Sequence, residues 1–404
     1  MYKGQTMKHL PVIAGGSPVR AEYLVFGSPS IGEEEILEVC QSMRSGWVGT
    51  GPKVKIFEEM FEKFKNCRYA IALSSCTAAL HLSLLVLKIK PGHEVITTPL
   101  TFASTANSIV HAAAEPIFAD VNLETMNIDP VEVERKISKK TRAIIPVHLA
   151  GRPCEMDALM ELANMFHLRV IEDAAHAIES TYKGKPIGTI GDLGCFSFYV
   201  TKNITTVEGG MVVTDQKELA SQIKSLALHG LTQDAWQRFT DEGFKHYEVV
   251  CAGFKYNMTD IQASIGIHQL EKIETKAQRR KEIWEIYNQS FRELPLILPF
   301  PAPPDQRHAY HLYTPLLDLD RVRCTRDEFL QALHKENIGA GIHYIALHLH
   351  PFYRKTYGYH SGDFPNAEFI SNRTFSLPLS AKLTDQDVED VIHSVKKILN
   401  YYRR

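Results

Sequence analysis

Lys202 stands in a Thr/Asn/Gly-rich turn, FSFYVTKNITTVEGG (196–210), between two apolar runs. Most lysines in loops are solvated. One partly desolvated beside a sheet edge has its pKa lowered toward the range in which an amine is a nucleophile. Alternation within the run places Ser197 on the opposite face from Phe196 and Phe198. Three further segments carry residues of comparable interest. In EDAAHA (172–177), Glu172 and Asp173 interrupt an apolar run and His176 follows. A carboxylate at a buried strand end must be hydrogen-bonded or paired, so it is either a structural ion pair or the partner of a protonated ring nitrogen. In SSCTAAL (74–80), Ser75, Cys76 and Thr77 fall at the start of a helix. Free N–H groups and the helix dipole there favour an anion such as phosphate, although Ser and Thr also cap helices with no ligand present. In TPLTFAST (98–105), Phe102 opens a helix, where its ring either packs in the core or lies flat on a planar ligand.

An anion cradle, an aromatic plate, a buried Asp and a Lys are the four parts that pyridoxal phosphate requires. The phosphate takes a helix N-terminus, the ring a stacking face, the ring nitrogen an Asp and the aldehyde a lysine. Competing chemistries are weaker. GKPIGTIGDLG (184–194) lacks the G-x-G-x-x-G spacing of a dinucleotide site, and there is no Walker A sequence. His343, His348 and His350, with His308 and His311, have no carboxylate or Cys partners at ligand spacing, so no metal is expected.

The elements that must position these residues follow a rhythm from about residue 68. β-Branched apolar runs at 68–73, 94–99, 115–121, 142–150 and 169–174 alternate with helical patterns at 77–88, 103–113, 130–138 and 156–166. That alternation is what a parallel sheet covered on both faces requires. Strands at 194–200 and 209–215 flank the lysine turn, and helices near 31–45 and 53–66 lead in. A long helical stretch spans 259–289. The expected organisation is a large α/β domain over 1–270 and a small α+β domain over 271–404. The latter holds strands HLYTPLLDL and AGIHY, a helix TRDEFLQALHKEN and a terminal amphipathic helix. In open α/β sheets ligands sit beyond the carboxyl ends of the strands, where all four segments fall.

The 404 residues are 44% apolar and 23% charged, with a formal net charge of −2. These are ordinary globular values, and the balance removes the electrostatic footprint of nucleic-acid or anionic-membrane binding. Seven scattered cysteines without a C-x-x-C read as reduced thiols in a cytoplasmic protein. The first residues lack a signal peptide's apolar core. The uncharged stretch 69–87 holds Ser74, Ser75, Thr77, His81 and Ser83, and reads as strand, turn and helix rather than a membrane span.

The sequence resembles the sugar aminotransferases of the DegT/DnrJ/EryC1/StrS group. The resemblance rests on SGWVGTGPKVKIFEEMF (45–61), SSCTAALHL, TTPLTFAST, IIPVHLAGRPCEMDAL (144–159), VIEDAAHA, the KNITTVEGG segment and YNMTDIQASIGIHQL (256–270). It implies an α/β fold of aminotransferase type I and pyridoxal 5′-phosphate as cofactor. It implies that Lys202 is the Schiff-base lysine, that Asp173 pairs with the ring nitrogen and that Phe102 stacks on the ring. Thr77, the backbone around Ser75 and Cys76, and Ser197 would hold the phosphate, with His176 beside the cofactor. GFKYNMTDI (253–261), RHAYHLY (307–313) and IGAGIHY (338–344) are similar to the branch that makes a UDP-linked 4-amino-arabinose. His343 matches an active-site histidine of that branch. Two positions depart from the wider family. Cys76 stands where Gly is usual, and Lys255 and Asn257 replace the Asn and Arg of G-x-N-Y-R-M. The implied substrates are glutamate and a nucleotide-linked 4-keto sugar, with Lys53, Lys255 and His343 as contacts toward the nucleotide. Lys255 would serve the phosphate of the neighbouring subunit in a homodimer. The histidine-for-lysine exchange of the group's dehydratases is absent here, and no appended DNA-binding pattern marks a regulatory member.

Overall fold

The computed structural model describes residues 10–232 and 248–404. Its frame is a seven-stranded mixed sheet in the order β1-β9-β8-β5-β4-β2-β3. The strands are β1 (Tyr69–Leu73), β2 (Glu94–Thr97), β3 (Glu115–Phe118), β4 (Thr141–Ile145), β5 (Arg169–Asp173), β8 (Leu193–Ser197) and β9 (Gly210–Thr214). Between β5 and β8, the short strands β6 (Thr181–Tyr182) and β7 (Lys185–Pro186) form a separate ribbon with β11 (Gln306–Arg307). From β3 through β8 every pairing in the main sheet is parallel, whereas β9 is antiparallel to both β8 and β1. The apolar runs are buried on both faces, which explains why they show little alternation.

Helices cover the two faces. On one side lie α2 (Pro52–Lys65), α6 (Met156–Phe166) and α8 (Asp260–Glu271), on the other α3 (Cys76–Val86) and α7 (Lys217–Ala227). The remaining α/β helices are α1 (Glu33–Ser45), α4 (Ala103–His111) and α5 (Pro130–Lys136). The expected 259–289 helix breaks at Lys272, and α9 (Ile273–Phe291) leads into a separate hydrophobic cluster. There it packs with α10 (Arg326–Lys335) and α13 (Asp385–Tyr402), with the β10–β12 pair (Leu296–Ile297, Leu316–Leu317) alongside; α11 (Pro351–Tyr357) and α12 (Pro365–Ser371) lie in a neighbouring cluster. The N-terminal stretch joins this part too. Leu24 pairs with Ile338, and Glu336 accepts from the N–H groups of Val12 and Val19.

Two expected strands differ. HLYTPLLDL shrinks to Leu316–Leu317, because Pro315 offers no N–H to a ladder. AGIHY forms only an isolated bridge, Gly341 with Ser376. Its irregular backbone lets the adjacent side chains of His343 and Tyr344 line one cavity, which a regular strand forbids. Among the described residues no helix is long and apolar enough to cross a membrane.

The lysine turn is anchored from below by aromatic packing. Phe61 of α2 meets Phe196 and Phe198 edge-on, with ring centroids 5.1 and 5.7 Å apart, and Phe57 meets Phe198 at 5.3 Å. All four rings are buried. Phe61→Ala leaves a void beneath β8. It is expected to cost about 3–5 kcal/mol of stability, read as a lower denaturant midpoint; a midpoint like that of the wild type would show that β8 is held by other contacts.

Candidate active site

Beyond the carboxyl ends of β1, β5 and β8 opens a cavity of about 620 Å³. Ser75, Cys76, Thr77, Phe102, Asp173, His176, Ser197, Lys202 and His343 all line it. Lys53 and Lys255 do not. The ammonium of Lys53 is paired with Glu38 of α1, and its backbone N–H is 3.1 Å from Asp260. Lys255 is exposed, on a segment bridged to Leu228.

Asp173 ends β5. Its Oδ2 accepts from the Thr105 hydroxyl at 2.8 Å and its Oδ1 from the N–H of Ala175 at 3.2 Å. Because Thr105 spends its proton on Asp173, Thr101 must donate in the 2.9 Å contact between the two threonines. Burial pushes the Asp173 carboxyl above the usual carboxylate range, against the opposing pull of Thr105, Ala175 and Lys202. Glu172 serves structure instead. It accepts from the N–H groups of Gly188, Ile190 and Gly191 and from His148, fixing the turn that enters β8.

Lys202 is enclosed by the cavity walls, and desolvation pushes its ammonium down to about 8 despite Cys76 and Asp173. Its backbone N–H closes a turn on the Tyr199 carbonyl at 2.9 Å. Thr205 and Thr206 tie the rest of the loop to Phe198 and Glu208. Burial also drives His176 well below its ordinary value and His343 down to about 4, so both rings are neutral. His343 Nδ1 and the Ser376 hydroxyl are hydrogen-bonded at 2.7 Å.

The cradle at α3 has a specific construction. Ser75 caps the helix, its hydroxyl accepting from the N–H of Ala78 at 3.1 Å, which leaves the N–H groups of Cys76 and Thr77 facing the cavity end. A Cβ at Gly210 would lie 2.4 Å from the Ser75 carbonyl carbon and 2.5 Å from the Cys76 nitrogen. Only glycine lets β9 pass so close behind the helix start. Phe102 lies at the mouth with 61% of its surface exposed, 6.1 Å from the ring of Tyr344.

The residues fit pyridoxal phosphate. Asp173 is a buried carboxyl with no ion-pair partner among the described residues, so an N–H⁺ supplied by a ligand ring completes it. The α3 N-terminus could take the phosphate, the exposed face of Phe102 the ring and Lys202 the aldehyde.

The sequence profile of the DegT/DnrJ/EryC1/StrS aminotransferase family matches residues 29–396. The chain belongs to this family. It is 54% identical to an uncharacterised protein of Methanocaldococcus jannaschii over 95% of this chain and 100% of the other. It is 48% identical to the spore coat polysaccharide biosynthesis protein SpsC of Bacillus subtilis over 94% of this chain and 98% of that one. Among solved structures, the PLP form of the putative sugar aminotransferase Spr1654 from Streptococcus pneumoniae superimposes with a TM-score of 0.86. That match has 33% identity and covers 94% of this chain and 99% of that one. The fold is thus that of a pyridoxal-phosphate aminotransferase, as the sequence implied.

Thr105, Asn203, His311 and Tyr344 are parts of this aminotransferase site or its immediate support that sequence reasoning passed over. Thr105 had a signal, one helical turn after Thr101. His311 and Tyr344 stand far along the chain and had none beyond their place beside other histidines. Gly210→Ala is expected to push the Ser75–Cys76 backbone off its position and weaken pyridoxal phosphate binding about tenfold or more, the equivalent of ~1.4 kcal/mol. Fluorescence titration of the cofactor-free protein checks this; an unchanged affinity would show that the cradle tolerates the shift.

Proposed function

We propose that this sugar aminotransferase moves the amino group of glutamate onto the ketone of a nucleotide-linked 4-keto sugar, giving a 4-amino sugar for a cell-envelope polysaccharide or glycan. The observation that carries the reading is the meeting of a depressed lysine, an unpaired buried carboxyl and a free helix N-terminus on one cavity. The relationship to a polysaccharide biosynthesis protein supports the destination of the product. The similarity of RHAYHLY and IGAGIHY to the arabinose branch supports the 4-position.

Pyridoxal phosphate is the cofactor, and when bound it supplies an aldehyde that exchanges amines and a ring that draws off electrons. The protein does the rest. Thr77, the backbone of Ser75 and Cys76, and Ser197 hold the phosphate, while Phe102 covers the ring. Asp173 keeps the ring nitrogen protonated, because a buried carboxylate without a cation is costly. Lys202, with its pKa near 8, has a neutral amine to engage the aldehyde and, once displaced, takes a proton from the substrate carbon at Nζ and returns it. His176 and His343, both neutral, present hydrogen-bonding edges to the substrate.

Glutamate and a nucleotide diphosphate both carry negative charge, yet among the described residues the only cationic side chain on the cavity wall is Lys202. A homodimer supplies the remainder in this reading. Ile36, Leu37, Met43, Trp47 and Val48 are exposed apolar side chains on α1 and the turn after it, which a second copy would cover. Lys255, exposed and off its own cavity, is then free to serve the phosphate across the interface. The same reading keeps the protein cytoplasmic, where nucleotide sugars are made, with a large cofactor-binding domain to about residue 270 and a smaller one beyond it.

The test is visible absorbance of the purified protein followed by a panel of keto sugars. A yellow band should bleach on adding glutamate, and turnover should be highest with a 4-keto sugar nucleotide. Lys202→Ala should lose the band and at least ~10²–10⁴ in rate. A colourless wild type that takes up no cofactor would overturn the proposal, and preference for a 3-keto sugar would overturn its substrate. Loading carries a second expectation. Only the neutral amine reacts, so the rate of cofactor uptake should climb with pH and level off above about 8; a plateau reached only near pH 10 would show that Lys202 is not desolvated.

A further inference from the structure

Behind the lysine turn runs a chain of buried polar groups to which the chemistry above assigns no part. Arg280 of α9 pairs with Glu179, their side chains 3% and 0% exposed. The other oxygen of Glu179 accepts from Asn203 Nδ2 at 2.7 Å, and the same nitrogen donates to the Ala309 carbonyl at 3.0 Å. Both partners are pure acceptors, so the orientation of this amide is fixed, and only its Oδ1 is left to face His311 Nδ1 at 2.9 Å. A carbonyl oxygen cannot donate. His311 therefore carries its proton on Nδ1 and its lone pair on Nε2. Burial, with Lys202, His343, Arg280 and His308 nearby, holds the ring neutral, well below its ordinary pKa.

His176, 4.4 Å away between ring centroids, is locked in the opposite sense. Its Nδ1 accepts from the N–H of Ala150 at 3.2 Å, so its proton lies on Nε2, which meets the Tyr344 hydroxyl at 3.1 Å. Of two touching imidazoles on the wall beside Lys202, one presents a donor and the other an acceptor.

We propose that His311 is a positioning residue for Lys202, its Nε2 accepting a hydrogen bond from the lysine ammonium whenever that amine is free, and that Asn203, braced by Glu179 and Arg280, keeps the lone pair on the cavity side. The inference rests on the role given to Lys202 above. A lysine that shuttles a proton must hold it for a time in a site that disfavours charge. The other ionisable groups on that wall are Cys76, Asp173, His176, Tyr199, Glu208, His343 and Tyr344. Asp173 is committed to the ring nitrogen, and His176 offers its proton rather than a lone pair. A neutral acceptor steadies the ammonium and raises its pKa less than a carboxylate would, so the proton can be given up again.

The experiment uses the full chain after glutamate treatment, when the cofactor carries the amine and Lys202 is free. Competitive labelling with acetic anhydride across pH, read by peptide mass, gives the pKa of that one lysine, expected at about 8 in the wild type. His311→Phe should lower it by about one unit. Asn203→Ala should shift it the same way by releasing the tautomer, and His311→Gln, which keeps an acceptor, should restore the wild-type value. Lys202 titrating unchanged in both His311→Phe and Asn203→Ala would overturn the proposal, as would His311→Gln falling as far as His311→Phe. Borohydride trapping before glutamate treatment serves as the control. A tag on Lys202 certifies that a variant is folded and loaded, and Asn203→Ala decides alone if His311→Phe lacks it. No tag in the wild type would instead sink the cofactor assignment.

Discussion

An amine and a carboxyl held out of water on one cavity wall, without being allowed to neutralise each other, is the constraint around which this protein is arranged. Lys202 and Asp173 feel each other's charge but form no direct ion pair. Had they paired, the amine would be locked as an ammonium and the carboxyl would have nothing to offer a ring nitrogen. Keeping them apart leaves a desolvated amine and a buried carboxyl without a counter-ion, a cost that hydrogen bonds to Asp173 offset only in part until a ligand supplies the missing cation. The protein carries that cost in its scaffold. Thr101 and Thr105 hold Asp173 from one side and the Thr205–Thr206 loop pins Lys202 from the other.

Sheet topology is what brings the groups to one edge. β8 runs parallel to β5, so Asp173 and Ser197 finish at the same end. β9 returns antiparallel to β8, which forces the 198–209 connection, and Lys202 with it, to that edge. β1 is antiparallel to β9 and closes with Leu73 opposite Gly210, so the start of α3 arrives there as well. A wholly parallel sheet would have needed a crossover helix between β8 and β9 and would have carried the lysine away from the carboxyl. The paired glycines at 209–210 follow from this, since the β9 backbone must slide behind the helix that forms the cradle.

Much of the arrangement was legible because it is local. Lys202, Asp173 and the 75–77 segment are read from strand-then-turn patterns within a few residues, and five of the seven main strands lie within the apolar runs that announced them, β4 and β8 each beginning one residue earlier. What stayed hidden depends on contacts between residues far apart in the chain. Thr105 touches Asp173 from 68 residues away, and Asn203 touches His311 from 108. Chemistry by residue type also misled. Lys53 looked free to meet an anion, but a carboxylate on the preceding helix already holds it. Strand patterning failed at 311–319 because Pro315 offers no N–H to a ladder, and at 340–344 because the irregular backbone there brings both His343 and Tyr344 to the cavity.

The histidines show why the late-sequence half belongs to the chemistry and not only to the fold. His311, His343 and Tyr344 come from the C-terminal part, and Phe26 of the N-terminal stretch lies 5.7 Å from the ring of His343. None of the three imidazoles on the wall is charged near neutrality, because each is desolvated and faces Lys202. A protonated imidazole at any of these places would repel the lysine ammonium and push its pKa below the point where it retains a proton long enough to pass on. A carboxylate there would do the reverse and trap the proton. Neutral rings with fixed tautomers supply directional hydrogen bonding while leaving the electrostatic balance to one amine and one acid. That is the simplest way for a single lysine to bind a proton and release it within the same cycle.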